Sequence, residues 1–313
     1  MILCVNLNAA IDKTIVVNSF RLGEIHRPEA VKSLAGGKGC NVARALQQFG
    51  EEPVVTGWVG GTAGQFIENG LRQEGIQTDF VYTDFESRTC TSILDGRNQT
   101  MTEIYENGDP VPAAKVAEML ARFREIVGGY TAVTLSGSIP PGVPQDIYAQ
   151  LINIAREKSV PAFLDSSKEA LFQGVAAKPF LIKPNETEVT ILAGRKLTTT
   201  AKFAAAASAI STRYETIVVL SLGKNGAIAA QGQEVVHVQN PPVEAQSAVG
   251  SGDCMLAGLA YGFSHELSLV EAVKYGVAAG TANTLVIGAG QFTMGDFEKI
   301  LTNTKMARLE TSA

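Results

Sequence analysis

The sequence predicts an α/β protein in which a mainly parallel sheet is covered by helices on both faces. Short apolar segments typical of buried strands alternate with segments in which apolar residues recur at helical spacing, and this alternation runs through most of the chain. With 313 residues, the chain is long enough to bury a full core. Residues 13–35 and 88–105 carry β-branched runs without a helical period, which predicts a small second sheet.

The predicted elements follow one another in a regular order. Residues 2–7 are an apolar strand. Residues 35–50 are a glycine-rich loop that leads into a helix, because Val42, Leu46 and Phe49 lie at helical spacing and Gly50 suits a helix end. Short apolar runs predict strands at 53–58, 132–135, 160–165, 180–182 and 217–220, and apolar residues at helical spacing predict helices at 64–73, 116–127 and 147–154.

Composition excludes several classes of protein. Hydrophobic residues make up 45% of the chain and charged residues 18%, as in a well-packed globular protein. The net charge of −5 without a basic block disfavours a nucleic-acid partner. No apolar run approaches the ~20 residues that span a bilayer, so we expect no membrane association. The cysteines (Cys4, Cys40, Cys90 and Cys254) form no Cys-x-x-Cys pair, which predicts buried thiols in a cytoplasmic protein.

Polar residues follow the predicted strands at the point where each strand ends. They are Ser136, Asp165, Lys183, Asn185 and Ser221. The carboxyl ends of parallel strands meet at one edge of an open α/β sheet, and ligands bind at that edge. Asp12, placed just past the first strand, could bind sugar hydroxyls there or could simply be a turn residue.

The stretch from Ser247 to Gly258 predicts a tight glycine-rich turn that opens a buried helix. The first N–H groups of a helix lack intrahelical partners and suit an anion. Gly250 and Gly252 would admit a phosphate close to the backbone, with Asp253 beside it. Asp253 could be a helix N-cap. Alternatively, it could be a general base that takes the proton of a hydroxyl attacking the phosphate.

Other polar groups suit a nucleotide. Ser221, Gly223 and Gly226 would present a hydroxyl and backbone N–H groups to phosphate oxygens, and Lys183 could neutralise phosphate charge. Asn185 and Glu188, three residues apart, suit a hydrated Mg²⁺ or, equally, a capping box. Lys38 and Asn41 in the glycine-rich loop suggest an oxygen-rich or phosphorylated ligand. That loop is not a Walker A motif, and no G-x-G-x-x-G follows the first strand as in a dinucleotide oxidoreductase.

Four motifs in register resemble the PfkB (ribokinase-like) carbohydrate kinases. They are Ala35-Gly-Gly-Lys-Gly-Cys-Asn-Val-Ala, Lys183-Pro-Asn-Glu-Thr-Glu, Ser221-Leu-Gly-Lys-Asn-Gly-Ala and Ala248-Val-Gly-Ser-Gly-Asp-Cys-Met. Further stretches are similar to the branch that contains 1-phosphofructokinase and tagatose-6-phosphate kinase, namely Asn6-Leu-Asn-Ala-Ala-Ile-Asp, Ser136-Gly-Ser-Ile-Pro-Pro-Gly and Asp165-Ser-Ser-Lys-Glu-Ala-Leu. The chain departs from that branch at Ala9, where Pro is usual, and at Ser251, where Ala or Gly is usual.

The resemblance implies one kinase domain over 1–313, with a three-layer α/β/α core and a small β-sheet lid formed by about 13–35 and 88–107. It implies Asp253 as general base and an anion hole at Gly250, Ser251 and Gly252. Sugar contacts are implied at Asp12, Gly37 and Asn41, and contacts to the substrate phosphate at Lys38 and Arg88. ATP contacts are implied at Lys183, Asn185, Ser221, Gly223, Gly226 and Asn283.

The sequence therefore predicts an ATP- and Mg²⁺-dependent kinase of a ketohexose monophosphate: fructose 1-phosphate, tagatose 6-phosphate or fructose 6-phosphate. Two alternatives stay open, a kinase of an unphosphorylated sugar or nucleoside and a catalytically silent regulator that binds sugar phosphate. An apolar face on the lid sheet (Ile15, Val17, Ile93 and Ile104) predicts a homodimer that pairs two lids.

Overall fold

The structure, a computed structural model, describes residues 1–309; residues 310–313, at the end of the predicted domain, lie outside this range. Its largest element is a ten-stranded sheet. The strands, numbered in chain order together with those of a second sheet, are β1 (Ile2–Asn6), β4 (Val54–Gly60), β5 (Gln77–Thr83), β8 (Ala132–Ser136), β9 (Ala162–Asp165), β10 (Leu181–Ile182), β11 (Ile217–Ser221), β12 (Ala227–Gln231), β13 (Glu234–Gln239) and β14 (Lys305–Arg308).

The strands lie in the order β14-β13-β12-β11-β10-β9-β8-β1-β4-β5. From β5 to β11, neighbouring strands are parallel. From β11 to β14, they are antiparallel. The mainly parallel sheet is thus confirmed, and the antiparallel edge is an addition to the prediction. The connections from β11 to β12 and from β12 to β13 are too short for a crossover helix, so the chain turns back directly. β14 joins this edge only after α8, α9 and α10.

Helices cover both faces of the sheet, which confirms the three-layer architecture. One face carries α1 (Lys38–Gln48), α2 (Gly61–Gln73), α8 (Ser251–Ser264), α9 (Leu269–Asn283) and α10 (Met294–Asn303). The other carries α3 (Ala113–Ile126), α4 (Ile147–Glu157), α5 (Lys168–Ala176), α6 (Glu186–Leu192) and α7 (Thr200–Tyr214). Successive residues of β1 enter opposite layers, since Leu3 and Val5 pack on one face and Ile2 and Cys4 on the other.

A second, four-stranded sheet, called the small sheet below, stands apart from the main one. Its strands are β2 (Ala10–Val17), β3 (Ala30–Gly36), β6 (Arg88–Asp95) and β7 (Thr100–Tyr105), in the order β3-β2-β6-β7. The predicted association of the two β-branched stretches is confirmed, because β2 pairs with both β3 and β6. Asp12 lies within β2, opposite Leu34 and Cys90, so its reading as a turn residue after the first strand was wrong.

Among residues 1–309, no helix combines the length and the apolarity needed to cross a membrane.

Candidate active site

The polar strand ends meet at one edge of the main sheet, as predicted. Ser136, Asp165 and Ser221 are the last residues of β8, β9 and β11, and Lys183 follows β10 directly. These four strands are consecutive neighbours in the sheet. Their carboxyl ends therefore form a continuous row of polar groups.

Asp165 is the centre of this row. Its side chain is buried, and its Oδ1 lies 3.2 Å from Lys38 Nζ while its Oδ2 lies 3.0 Å from Lys183 Nζ. Burial opposes ionisation, but Lys183 and Lys38 outweigh it and hold the pKa of Asp165 below its ordinary value. Asp165 thus remains charged and anchors both lysines.

This arrangement changes the expected position of Lys38. The resemblance implied a contact from Lys38 to the substrate phosphate, whereas the structure gives Lys38 a shared partner with Lys183, a residue assigned to ATP. Asp165 is also the largest influence on Lys38, and it raises the pKa of the ammonium group. Lys38 therefore stays charged and lies between the residues predicted to bind the sugar phosphate and those predicted to bind ATP.

The glycine-rich turn before α8 faces these lysines. Gly250 is the N-cap of α8 and has a φ of 83°, and a Cβ at this position would lie 2.6 Å from Ala289 Cα. The N–H of Ser251 donates to Ala248 O at 3.2 Å, whereas those of Gly250 and Gly252 donate to no acceptor within residues 1–309. A Cβ on Gly252 would lie 3.4 Å from Lys183 Nζ. Free N–H groups beside an ammonium group suit an anion.

Asp253 lies in the first turn of α8 and is buried. Its reading as an N-cap was wrong, because Gly250 occupies that position and no side chain caps the helix. Its Oδ2 instead accepts a hydrogen bond of 2.8 Å from Asn41 Nδ2. Burial raises the pKa of Asp253 to about 6, although Lys38 and Lys183 oppose this shift. A carboxylate with this pKa is ionised at neutral pH and can still accept a proton, as a general base must.

The predicted sugar-binding residues border Asp253 from α1 and the small sheet. Gly36 and Gly37 are tightly enclosed: a Cβ on Gly36 would lie 2.2 Å from Asp12 Cγ, and one on Gly37 would lie 2.5 Å from Asn6 Oδ1. Burial raises the pKa of Asp12, and the Gly37 backbone, Arg44 and Arg88 oppose the shift. The structure therefore brings Asp12, Gly37 and Asn41 together.

Arg88 lies at the base of the small sheet. Its Nη2 donates to Asn8 O at 3.1 Å and its Nη1 to Glu106 O at 3.0 Å. These bonds tie β6 to the segments that follow β1 and β7.

The predicted nucleotide residues form the other side of the edge. Gly226 has a φ of 86°, and a Cβ there would lie 1.9 Å from Val238 O, so the turn accepts only glycine. Gly223 also has a positive φ, of 54°. Ser221 is bridged to Asn185, and its Oγ lies 3.4 Å from Pro184 O. An open cavity of about 990 Å³ adjoins the turn at Lys224 and Asn225, but Asp253, Gly252 and Lys183 do not line it.

Asn185 and Glu188 form a capping box, with both N–H to side-chain bonds at 2.9 Å. This leaves Glu188 Oε1 without a hydrogen bond in the described chain. Burial raises the pKa of Glu188, and the nearby Asp165 carboxylate adds to this shift. The partly exposed Glu188 carboxylate and the Asn185 amide supply oxygen atoms of the kind that a hydrated divalent cation takes, so these residues fit Mg²⁺. Within residues 1–309, no cluster of three acidic, His or Cys ligands occurs.

Asn283 departs from its predicted role. It is fully buried, and its Nδ2 donates to Gly288 O at 2.7 Å and to Gln291 O at 2.8 Å. Its Oδ1 lies 3.4 Å from Ser251 Oγ. With these bonds its amide holds the loop after α9 next to the anion site, which leaves no free face for a nucleotide.

Two residues that the sequence did not single out belong to the site. Arg44, three residues after Asn41 on α1, is buried and pairs with Glu74. The signal was a charged residue on the buried face of a helix, at the spacing that places it beside Asn41.

Comparison with known proteins identifies the family. A model described as "pfkB family carbohydrate kinase" matches residues 5–294, nearly the whole chain. The chain belongs to this family. The tagatose-6-phosphate kinase of Staphylococcus epidermidis (strain RP62A) is 33% identical over 304 residues, which cover 96% of this chain and 97% of the relative.

Solved structures agree with this assignment. Phosphofructokinase-2 from Escherichia coli in complex with fructose-6-phosphate superposes with a TM-score of 0.90 at 29% identity, over 96% of this chain and 98% of that one. A protein from Thermotoga maritima described as "Possible 1-phosphofructokinase" gives a TM-score of 0.87 at 28% identity, over 99% of this chain and all of the other. The family and the branch indicated by the motifs are confirmed, and this family member is a phosphotransferase with an alcohol group as acceptor.

Proposed function

We propose that this family member is an ATP- and Mg²⁺-dependent kinase that converts a ketohexose monophosphate into the bisphosphate. The observation that carries the proposal is the buried Asp253 carboxylate beside a turn with free N–H groups, flanked by Lys38 and Lys183. A proton acceptor next to an anion site is the arrangement that transfer of a phosphoryl group to a hydroxyl requires. The relatives that act on tagatose 6-phosphate and bind fructose 6-phosphate support the substrate class.

Asp253 is the general base of the proposal. It takes the proton from the substrate hydroxyl, whose oxygen forms the new bond to the γ-phosphorus of ATP while the bond from that phosphorus to the bridging oxygen breaks and ADP leaves. Asn41 donates to Asp253 and so keeps the carboxylate oriented. The pKa of about 6 leaves Asp253 ionised and ready to accept the proton near pH 7.

The anion site stabilises the transferring phosphoryl group. The turn has free N–H groups at Gly250 and Gly252, and Gly252 lies next to the Lys183 ammonium group. Charge that builds up there during transfer is therefore stabilised without reorganisation. Ser251 retains the backbone of the turn, so its departure from the usual small residue leaves this site intact. Asn283 positions the adjacent loop.

The substrate side binds a sugar that already carries a phosphate. Arg88 and Lys38 supply the positive charge. Arg88 donates Nε and Nη2 to Asn8 O and Nη1 to Glu106 O, so one hydrogen on each of Nη1 and Nη2 is left to form a fork for the phosphate. Lys38 acts as a point charge. Asp12, Gly37 and Asn41 bind the sugar hydroxyls. The small sheet, which carries Asp12 and Arg88, closes over the sugar as a lid.

The nucleotide side binds ATP through Lys183, Asn185, Ser221 and the turn from Gly223 to Gly226. Glu188 and Asn185 would hold a hydrated Mg²⁺, which would neutralise charge on the phosphate oxygens.

The small sheet also mediates a homodimer in this proposal. Val31 (51% exposed) and Ile104 (59% exposed) lie on the same face of the small sheet as the partly exposed Ile15 and Ile93, and together they form an apolar surface. Val17, which the sequence placed on this face, is buried. Sedimentation analysis of the wild-type chain and of Ile104→Glu tests this step. The wild type should sediment as a dimer and the variant as a monomer, and a monomeric wild type would contradict it.

Turnover of the purified protein tests the function directly. Fructose 1-phosphate, fructose 6-phosphate, tagatose 6-phosphate and the free hexoses are assayed side by side with ATP and Mg²⁺. We expect bisphosphate formation from at least one hexose monophosphate. Activity only on a free sugar or nucleoside would replace the substrate class, and calorimetric binding of sugar phosphate and ATP without turnover would indicate a silent regulator.

A further inference from the structure

Arg44 is a buried charge that the proposed reaction does not use. It lies on α1 and is 4% exposed, among small and apolar residues of the same helix. A guanidinium group in such a place needs hydrogen-bond partners to offset its lost hydration. Its partners come from three different segments, and they connect the base of the small sheet to Asp253.

The first partner is Glu74, directly after α2. Arg44 Nε donates to Glu74 Oε2 at 2.5 Å and Nη2 to Oε1 at 3.1 Å, so the pair is bidentate. The second is Ala35 O on β3, which accepts from Nη2 at 2.5 Å. The third is Asn41 Oδ1, which accepts from Nη1 at 3.2 Å.

The Asn41 contact decides which end of that amide faces Asp253. A side-chain amide has an acceptor oxygen at one end and a donor NH₂ group at the other. With Arg44 on Oδ1, the NH₂ group faces Asp253 Oδ2 at 2.8 Å. Turning the amide over would set NH₂ against the guanidinium group and oxygen against the carboxylate, and both bonds would be lost.

The charges around Asp253 make this hydrogen bond consequential. Lys38 and Lys183 favour the ionised carboxylate, whereas burial and the Asp165 carboxylate disfavour it. The neighbouring Cys254 thiol is buried and stays neutral, because burial raises its pKa. Within the described chain, the Asn41 NH₂ group is the direct donor to the carboxylate.

We propose that Arg44 is a positioning residue: it orients the Asn41 amide toward Asp253 and ties that amide to β3 and α2. The inference rests on the proposed role of Asp253 as general base. Ala35 adjoins Gly36, which packs against the Asp12 carboxylate. A shift of the small sheet therefore acts on Arg44, and through it on the base.

The test replaces Arg44 by Lys, which keeps the charge but cannot serve three partners with one ammonium group. We expect kcat to fall about ten-fold or more, because a charge-assisted hydrogen bond is lost at the base. KM for ATP should stay unchanged. The acidic limb of the profile of kcat against pH should move to higher pH by about half a unit or more, since the ionised carboxylate loses an oriented donor.

Glu74→Gln is the second variant, because it weakens the same network from its half-buried outer end and keeps an acceptor oxygen. It should shift the profile in the same direction by a smaller amount. Arg122→Lys is the matched control, since Arg122 on α3 also forms a bidentate pair, in its case with Asp79 on β5. The control should change neither kcat nor the profile.

The combination with Asp253→Asn separates this inference from the proposed function. Without the base, Arg44→Lys should lower kcat no further, because it acts through Asp253. An equal loss in both backgrounds would overturn the positioning role, and so would an unchanged profile in Arg44→Lys and Glu74→Gln. A fall that Arg122→Lys reproduces would also overturn it. Failure of the proposed function is seen separately, as a wild-type chain that phosphorylates no hexose monophosphate.

Discussion

Asp253→Asn tests the general base and predicts opposite effects on activity and stability. The substituted amide has nearly the same shape and its oxygen can still accept from Asn41, but it cannot take a proton. General-base catalysis contributes ~10²–10⁴-fold to rate, so kcat should fall by that factor. KM for ATP should hardly change, because Asp253 is not among the residues assigned to ATP.

The pH profile supplies the second readout. Since burial raises the pKa of Asp253 to about 6, kcat of the wild-type chain should rise with pH through about 6 and then level off. Below that value, kcat should drop about ten-fold per pH unit, because the protonated carboxyl is no base. The residual activity of the variant should lack this limb.

Stability should move in the other direction. The pKa of Asp253 is raised from 3.8 to about 6 in the folded chain, so the folded state holds this proton more tightly than the unfolded state. The stability that the carboxyl contributes is therefore present below about pH 4 and is lost as pH rises through 6. Two pKa units correspond to about 3 kcal/mol at most. The variant cannot ionise and avoids this loss, so at pH 8 its Tm should be about 4 °C higher.

Asp296→Asn is the matched control. Asp296 is the third residue of α10 and follows Gly295, just as Asp253 is the third residue of α8 and follows Gly252. Its carboxylate accepts from Thr293, outside the site. Activity and the acidic limb should be unchanged in the control. Near-normal turnover of Asp253→Asn would refute the base assignment, and a lower Tm at pH 8 would refute the view that burial of the charge destabilises the fold.

Three further outcomes follow from the site. Arg88→Ala should raise KM for the sugar phosphate ~10–100-fold and leave KM for ATP unchanged. Arg88→Lys should not restore the wild-type KM, because the bidentate grip on the phosphate is lost. A steady-state assay in which wild type and Arg88→Ala have the same KM for sugar phosphate would contradict this role. Lys38→Gln should move the acidic limb of kcat to higher pH, since Lys38 lowers the pKa of Asp253, whereas Lys115→Gln on the surface should not. Sugar phosphate should slow hydrogen exchange in β2, β3, β6 and β7 more than in β1 and β8, as mass spectrometry of the exchanged chain can show; uniform exchange would exclude closure of the small sheet.

The layered core was predictable because its strands are buried on both faces. Near-continuous apolar runs such as residues 2–5 can only lie inside a covered sheet, and each is followed by a helical period. The antiparallel edge from β12 to β14 was not predictable in the same way. β12 and β13 are buried like the parallel strands, and only the short turn at Gly232 distinguishes their hairpin from a crossover. β14 is exposed throughout and has no apolar run from which it could be predicted. The interpretation of Asp12 as a turn residue was wrong because β-branched residues predict that a strand is present but do not show with which strand it pairs.

The site was predictable where one motif carries the geometry, and less so where distant segments meet. Gly250 and Gly226 have positive φ, and a glycine-rich turn in the sequence indicates such positions directly. The Arg44–Glu74 pair joins residues thirty positions apart, and neither belongs to a glycine-rich motif. Asn283 follows the family pattern, but its buried hydrogen bonds to Gly288 and Gln291 depend on how the loop after α9 folds back.

Asp165 and Asp253 show why residue type alone does not identify the base. Both are buried to a similar degree, 3% and 6% exposed. Asp165 contacts two ammonium groups within 3.2 Å and its pKa is lowered, whereas Asp253 contacts a neutral amide and its pKa is raised to about 6. Environments that push two carboxyl pKa values apart separate their roles. If Lys38 or Lys183 contacted Asp253 directly, its pKa would fall and it would be a weaker base. By holding both lysines, Asp165 keeps their charge at the anion site and leaves Asp253 able to accept a proton near neutral pH.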